Sequence, residues 1–381
     1  MSWEVVKLEE LYDVHNGLSK GGKFFGTGYP FLTFSTVFNN YFIPENIADY
    51  VQSTPKEQEN YSIHRGDIFV TRTSETSDEL GMSCVALKDY PKATYNGFTK
   101  RMRPKTDRVL PEYIGYYMRM PSFRNEFQAF STMTTRASLK NEDLLSLKVN
   151  LPPIETQCQI ANILFAYDRL IENNQKQIRL LEEAAQRLYK EWFVDLRFPG
   201  YKDVAIIDGV PEGWHRGLLK DLINVNYGKD HKKVPDDGDI PVYGSGGLMR
   251  KCNKSLFKGE AVLIPRKGSL NHIMYVNEEF WTVDTMFYAT MKKEHIALFV
   301  YFFISGFDMY SMNIGAAVPS MTVKILDAMD VNIPSDDLFK KFDDVVKIFF
   351  GRIAVLRKQN EALGQIRDRL LPKLMSGELE V

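Results

Sequence analysis

The chain has 381 residues, too many for one ordinary hydrophobic core, so two or more domains are expected. A hydrophobic share of 44% with 25% charged residues excludes an intrinsically disordered chain. The net charge of −1 supplies no global attraction to nucleic acid or membrane, so phosphate contacts would have to come from local patches or partner subunits.

Residues 1–150 open with "MSWEVVKLEE", which lacks the basic and apolar regions of a signal peptide. Short β-prone pieces follow, separated by Gly, Asn and Asp turns, with "GDIFVTRT" (Gly66–Thr73) the clearest strand. The expectation is an α+β module with an irregular, mostly antiparallel sheet and a helix packed on it after Glu112. Residues 151–197 begin with the helix-stopping pair Pro152-Pro153 and then run through one long helix. Residues 198–333 form a second module, with "GEAVLIPRKG" (Gly259–Gly268) as its central strand and a helix after Glu294. Residues 334–381 form a second long helix. The longest apolar run, Ile296 to Ile304, is too short to span a bilayer. Cys84, Cys158 and Cys252 form no C-x-x-C pair, which argues against a zinc ribbon or disulfide framework and suits a reducing cytoplasm.

An internal repeat organises these pieces. "LKVNLP" (Leu147–Pro152) recurs as "MDVNIP" (Met329–Pro334) at an offset of 182, which continues without gaps from Glu112/Glu294 to Arg187/Arg369. The module starts, Trp3–Gly17 and Trp214–Gly228, match at an offset of 211. The second variable region is therefore shorter by about thirty residues.

Both long segments carry a 4-3 apolar seam of the coiled-coil kind. The first runs Ile160, Leu164, Tyr167, Ile171, Asn174, Ile178, Leu181, Ala185, Leu188, Trp192. The second runs Phe342, Val346, Phe349, Ile353, Leu356, Asn360, Leu363, Arg367, Leu370, Leu374. An antiparallel pairing with all layers engaged sets Asn174 opposite Asn360, a polar pair that would fix register. The alternative leaves both asparagines near solvent. A helix from Ile160 to Trp192 makes a rod of about 48 Å, long enough to be a spacer between the modules, although antiparallel pairs also serve as dimerisation arms.

The chain resembles the specificity (S) subunits of Type I restriction-modification systems over essentially its whole length. The resemblance rests on the alternation of two variable modules with two long helices and on "LPPIETQCQIANIL" (Leu151–Leu164). "IPVYGSGG" (Ile240–Gly247) and "LIPRKGSLN" (Leu263–Asn271) are similar to phrases of the family's target recognition domains. The second copy departs from the central pattern, with Ser335 in place of the second proline and Leu338-Phe339 around the glutamine site. The resemblance implies an α+β architecture in which two α/β target recognition domains are separated by two long antiparallel coiled-coil helices, a pseudo-two-fold repeat. It further implies that each module reads one half of a split target in double-stranded DNA. The partners it implies are two methylation (M) subunits carrying S-adenosylmethionine and two restriction (R) subunits using ATP and Mg, with no cofactor bound by this chain.

The residues offer little for chemistry of the chain's own. "NLPPI" differs from an amino-methyltransferase loop because a leucine intervenes and no aromatic follows. Neither "GTG" nor "GSGG" opens a helix as a cofactor loop would, and no phosphate-binding P-loop is present. The tripeptide Asp230-His231-Lys232 fits the end of a nuclease motif, and the six histidines have no paired metal spacing. A non-catalytic recognition subunit is the expected role. Its rivals are an anti-restriction decoy on the same frame and, more remotely, an independent nuclease or methyltransferase.

Base reading needs forked donors and amides near a groove, with further donors on phosphates. In the first module the candidates are Thr71, Arg72, Thr73 and Ser74 leaving the strand, with Lys100 and Arg136. In the second they are Lys229, Lys232 and Lys233, Ser245 and Gly246 of "YGSGG", and Arg266, Lys267 and Asn271. Arg72 reads equally as a solvated or salt-bridged surface residue, "YGSGG" as a simple loop, and the lysine run as nonspecific phosphate contact. Arg169, Arg179, Arg187 and Tyr189 are assigned to the outer helix faces, for M-subunit docking or solvent.

Overall fold

The computed structural model describes residues 3–74, 79–129, 137–312 and 320–381. The chain forms two compact units, Met1–Asn173 with Gln359–Val381, and Asn174–Lys358. The two long helices, Ile154–Tyr189 and Asp336–Ser376, each contain a unit boundary.

In the first unit, strand Glu4–Lys7 pairs antiparallel with Lys148–Leu151 and ties the start of the module to its end. A four-stranded antiparallel sheet follows the order Tyr12–Asn16, Thr99–Pro104, Ile68–Thr71, Ser83–Val85. The strand 68–71 is buried at every position, as a central strand covered on both faces must be. The helix Pro111–Tyr117 starts with proline at its first turn, where no backbone donor is lost, and sends Tyr113 and Tyr116 into the core. That core also takes Ile160 and Leu164 from the first long helix and Leu371, Leu374 and Met375 from the second.

The second unit is built on a six-stranded sheet ordered Ile223–Tyr227, Met286–Met291, Phe257–Pro265, Met274–Thr282, Ile240–Gly244, Gly247–Cys252. All pairings are antiparallel except that of 240–244 with 274–282. The apolar run around Ile296 becomes the buried helix Ala297–Ser305. Among the described residues, no helix is long and apolar enough to cross a membrane.

Backbone pairing reproduces the repeat residue by residue. Glu4 faces Leu151 as His215 faces Ile333. Leu8 N donates to Leu147 O (2.9 Å) as Leu219 N donates to Met329 O (2.8 Å). Asn16 faces Lys100 as Tyr227 faces Phe287. The first module's extra length lies mainly between Leu32 and Ile68, where it carries two short helices, Phe34–Asn39 and Pro55–Asn60. Thr54 and Glu57 close the second of these with a reciprocal capping box.

Every seam position of both long helices is buried or half-buried, as the 4-3 spacing predicts. Contacts inside each unit run antiparallel. In the first unit Arg367 donates to Asp168 Oδ1 (2.5 Å). In the second, Arg357 donates to Glu182 (2.9 Å), and the Trp192 and Phe342 rings lie 5.9 Å apart. The charged seam residue Arg367 is thus accommodated by a carboxylate and stacks over Tyr41, 5.1 Å from its ring centre. The first helix closes in a π turn, Lys190–Val194, that turns Phe193 into the second core.

Tyr189 corrects the expectation that it lies on an outer face. Its ring stacks 5.6 Å from Phe302 inside the aromatic core of the second unit, and burial raises its pKa. Arg169, Arg179 and Arg187 are exposed.

Candidate nucleic-acid interface

In the first module the strand 68–71 delivers the chain to Arg72. Thr71 is fully buried: its hydroxyl donates to Glu79 O (2.5 Å) and accepts from Met82 N (2.8 Å). The expected role of Thr71 as a DNA contact is corrected accordingly, because its hydroxyl is buried and engaged by Glu79 and Met82. Arg72 is half-buried, with its backbone clamped on both sides. Its N donates to Phe98 O (2.9 Å), and its carbonyl accepts from Leu139 N (3.0 Å). Thr73 is half-buried, and its strand continues through Ser74 against Ala137 and Ser138. Arg136 lies outside the described residues.

Lys100 also departs from expectation. It is 5% exposed, and its ammonium donates to the Asn141 side chain. Burial, then the nearby charge of Arg72, lowers its pKa. Its neighbour Arg101 is 4% exposed and donates to Ser62 O (2.8 Å). Both sit on the inner strand 99–104, in the interior of the sheet. The solvent-facing side chain just before that strand is Phe98, 60% exposed, with its N held by the Asn96 side chain (2.7 Å). Sequence reasoning passed over Phe98. The signal was an apolar residue straight after an Asn-Gly turn.

The second module brings most of its candidates together. Ser245 and Gly246 form the turn between strands 240–244 and 247–252, and Gly246 is exposed with open space around it. The loop after strand 257–265 folds onto that turn, so that a Cβ on Gly268 would stand 2.5 Å from Ser245 Oγ. His272 Nδ1 donates to Ser245 O (2.9 Å). Asn271 is exposed, but its side chain already bridges Asp308 (2.9 Å) and Met309 N (2.8 Å), so it shapes the loop. Lys267 is exposed beside it. Arg266 is half-buried, with its guanidinium 5.6 Å above the ring of Tyr227, itself 56% exposed.

Lys229, two residues beyond Tyr227, is exposed, and its carbonyl accepts from the Trp281 indole (3.0 Å). Lys232 and Lys233 are exposed on a separate loop that Arg250 pins through His231 O (2.5 Å) and Val234 O (2.9 Å). In the same loop Asp230 accepts from Lys232 N (3.0 Å), and that bond lowers its pKa. The D-x-K tripeptide is thereby a turn. Among the described residues, no group of three or more His, Cys, Asp or Glu side chains could hold a metal ion.

An arginine follows a buried central strand in both units, Arg72 after 68–71 and Arg266 after 257–265, and known proteins share this duplicated plan. Residues 1–183 and 211–364 match the family described as Type I restriction modification DNA specificity domain. The chain belongs to that family. It is 24% identical to the Type I restriction enzyme MjaIX specificity subunit of Methanocaldococcus jannaschii, covering 100% of this chain and 94% of that one. The HindI specificity subunit of Haemophilus influenzae is 22% identical, covering 98% and 99%. The fold matches the crystal structure of a Type I restriction-modification S subunit from M. genitalium with a TM-score of 0.59 at 17% identity, over 98% of this chain and 96% of that one.

The phrase that carried the specificity-family resemblance has a structural task. Gln157 is fully buried; its Oε1 accepts from Leu110 N (2.8 Å), and its Nε2 donates to Arg108 O and Pro152 O (both 2.9 Å). At the matching place in the second unit stands Phe339, packed 4.9 Å from Phe299. The departure from the family phrase is thus a buried polar clamp replaced by an aromatic core. Beside this phrase, a groove of about 680 Å³ is lined by Trp3, Arg108, Pro153, Ile154 and Leu379, and among the described residues none of the candidate DNA residues lines it.

Proposed function

We propose that this chain is the non-catalytic DNA-recognition subunit of a Type I restriction-modification complex in the cytoplasm. Each module reads one half of a bipartite duplex target, and the helices set the gap between the halves. The observation that carries this reading is the match of the specificity family to both halves of the chain. Two M subunits with S-adenosylmethionine would methylate adenine at the site, and two R subunits with ATP and Mg would translocate and cleave. Arg169, Arg179 and Arg187 are available on the helices for docking. Arg72, Thr73, Ser74, Arg136, Lys229, Lys232, Lys233, Ser245, Gly246, Arg266 and Lys267 remain the DNA candidates. Asn174, 8% exposed, and Asn360 are proposed as the register-fixing layer of the seam.

The test is a genome-wide map of adenine methylation in cells carrying the chain with an active M subunit, against cells lacking the chain. A split methylated motif that disappears with the chain is the expected result, and exchange of residues 1–150 should alter one half of it. No chain-dependent methylation with M active would sink the reading.

A further inference from the structure

Arg72 and Arg266 sit in the same place in the two modules, although neither the 182 nor the 211 offset aligns them. Arg72 N donates to Phe98 O (2.9 Å), and Arg266 N donates to Thr285 O (2.8 Å). The Arg72 carbonyl accepts from Leu139 N (3.0 Å), and that of Arg266 from Met321 N (2.9 Å). The next residues pair alike, Thr73 with Ser138 and Lys267 with Ser320. Beneath both, a glycine meets the turn so closely that a Cβ on Gly17 would stand 2.1 Å from Asn96 O, and one on Gly228 2.0 Å from Val283 O.

Around this shared frame the side chains differ. Thr71 answers to Pro265, Thr73 to Lys267, Phe98 to Thr285, Asn16 to Tyr227 and Lys100 to Phe287. One residue type held in one place, among neighbours that differ, suits a ligand feature common to both half-targets. In duplex DNA that feature is the phosphate backbone, because base edges change with sequence. We propose that Arg72 and Arg266 are matched phosphate anchors, which set the same register of each module on its half of the target. The proposal rests on the DNA-recognition reading above.

The surroundings of Arg72 fit an anion. The buried Lys100 ammonium lies close enough to feel its charge and has the neutral Asn141 amide as hydrogen-bond partner, so a phosphate at Arg72 would relieve two neighbouring cations. In the second module the guanidinium lies over an exposed tyrosine ring beside Lys267; its Nη1 donates a long bond to Asp284 O (3.4 Å), and Nη2 and Nε remain for a phosphate oxygen.

The experiment measures binding of the chain, assembled with its M subunits, to a duplex of random sequence and to the methylated motif across a salt series. Arg72→Ala and Arg266→Ala should each weaken binding on the order of ten-fold and make the slope of log K against log salt shallower by about 1. The loss should be the same for every base substitution in the motif. Arg72→Lys should keep most of the slope, and unchanged thermal unfolding would show that folding is intact. Relaxed preference at a single base pair with an unchanged slope would overturn the proposal in favour of a base reader. Unchanged affinity in both alanine variants would overturn it outright. If the wild-type complex bound no duplex, the DNA reading itself would fall, and the proposal with it.

Discussion

The Asp168 carboxylate of the first unit offers a quantitative test of how the seam is held. It accepts from Arg367 (2.5 Å) and from the fully buried Tyr116 hydroxyl, while Arg367 also donates to Asp368 from Nε (2.9 Å) and Nη2 (2.8 Å). Burial pulls the Arg367 pKa down, but the Asp168 hydrogen bond and charge outweigh it, and the net shift is upward. Side-chain exposures of 16% for Arg367 and 24% for Asp168 put the pair between surface and core, where neither limiting value applies. Two hydrogen bonds to a charged group at about 1.5–3 kcal/mol each, reduced for partial exposure and for the remaining Asp368 contact, make Asp168→Ala cost about 3 kcal/mol. Arg367→Met keeps an apolar stem but removes the ion pair and the guanidinium's stack on Tyr41, and should cost about 2 kcal/mol. The double variant should cost less than the sum by about 1–2 kcal/mol. Hydrogen exchange of peptides covering Ile160–Leu170 and Leu363–Met375 in a urea series reports this unit, with second-unit peptides as internal control. Additivity within about 0.5 kcal/mol would refute the account, since the two residues would then act independently.

Two further outcomes follow from packing. Gly351 and Gly364 lie inside the helix Asp336–Ser376 with nothing within 4 Å of a would-be Cβ, so alanine at each should stabilise by about 1 kcal/mol, read as a higher urea midpoint. Gln157→Leu strands the Leu110 amide and two carbonyls; it should cost about 2–4 kcal/mol and speed exchange of the Leu110 amide, whereas a solvent-facing docking role would leave that amide protected.

What could be read from sequence was what repeats at fixed spacing. The 4-3 seam located both helices because a buried stripe must recur with the helical period, and the 182 and 211 offsets located the frame because paired strands tolerate no slip. The contacts of the modules were less legible because they depend on which strand is central. Lys100 and Thr71 look like loop polar residues until strands 12–16 and 83–85 flank theirs, and both then turn inward. Tyr189 reads as an outer-face residue until the helix Ala297–Ser305 packs against it. The match of Arg72 with Arg266 was hidden because insertions shift the offset between the module starts and the helices; only backbone pairing recovers it.

The division of the chain also bears on the order in which it can fold during synthesis. The second unit is one continuous stretch, Asn174–Lys358, whereas the first needs Gln359–Val381 as well, and its core includes Leu371, Leu374 and Met375. A ribosome making this protein therefore releases its beginning long before that beginning can close. The module translated second has all its core residues first, while the module translated first waits with an open apolar face until the C-terminal turns emerge. Chaperone demand and sensitivity to proteolysis should fall on the N-terminal module, and a stall late in translation should leave the C-terminal module folded and the N-terminal one unfinished.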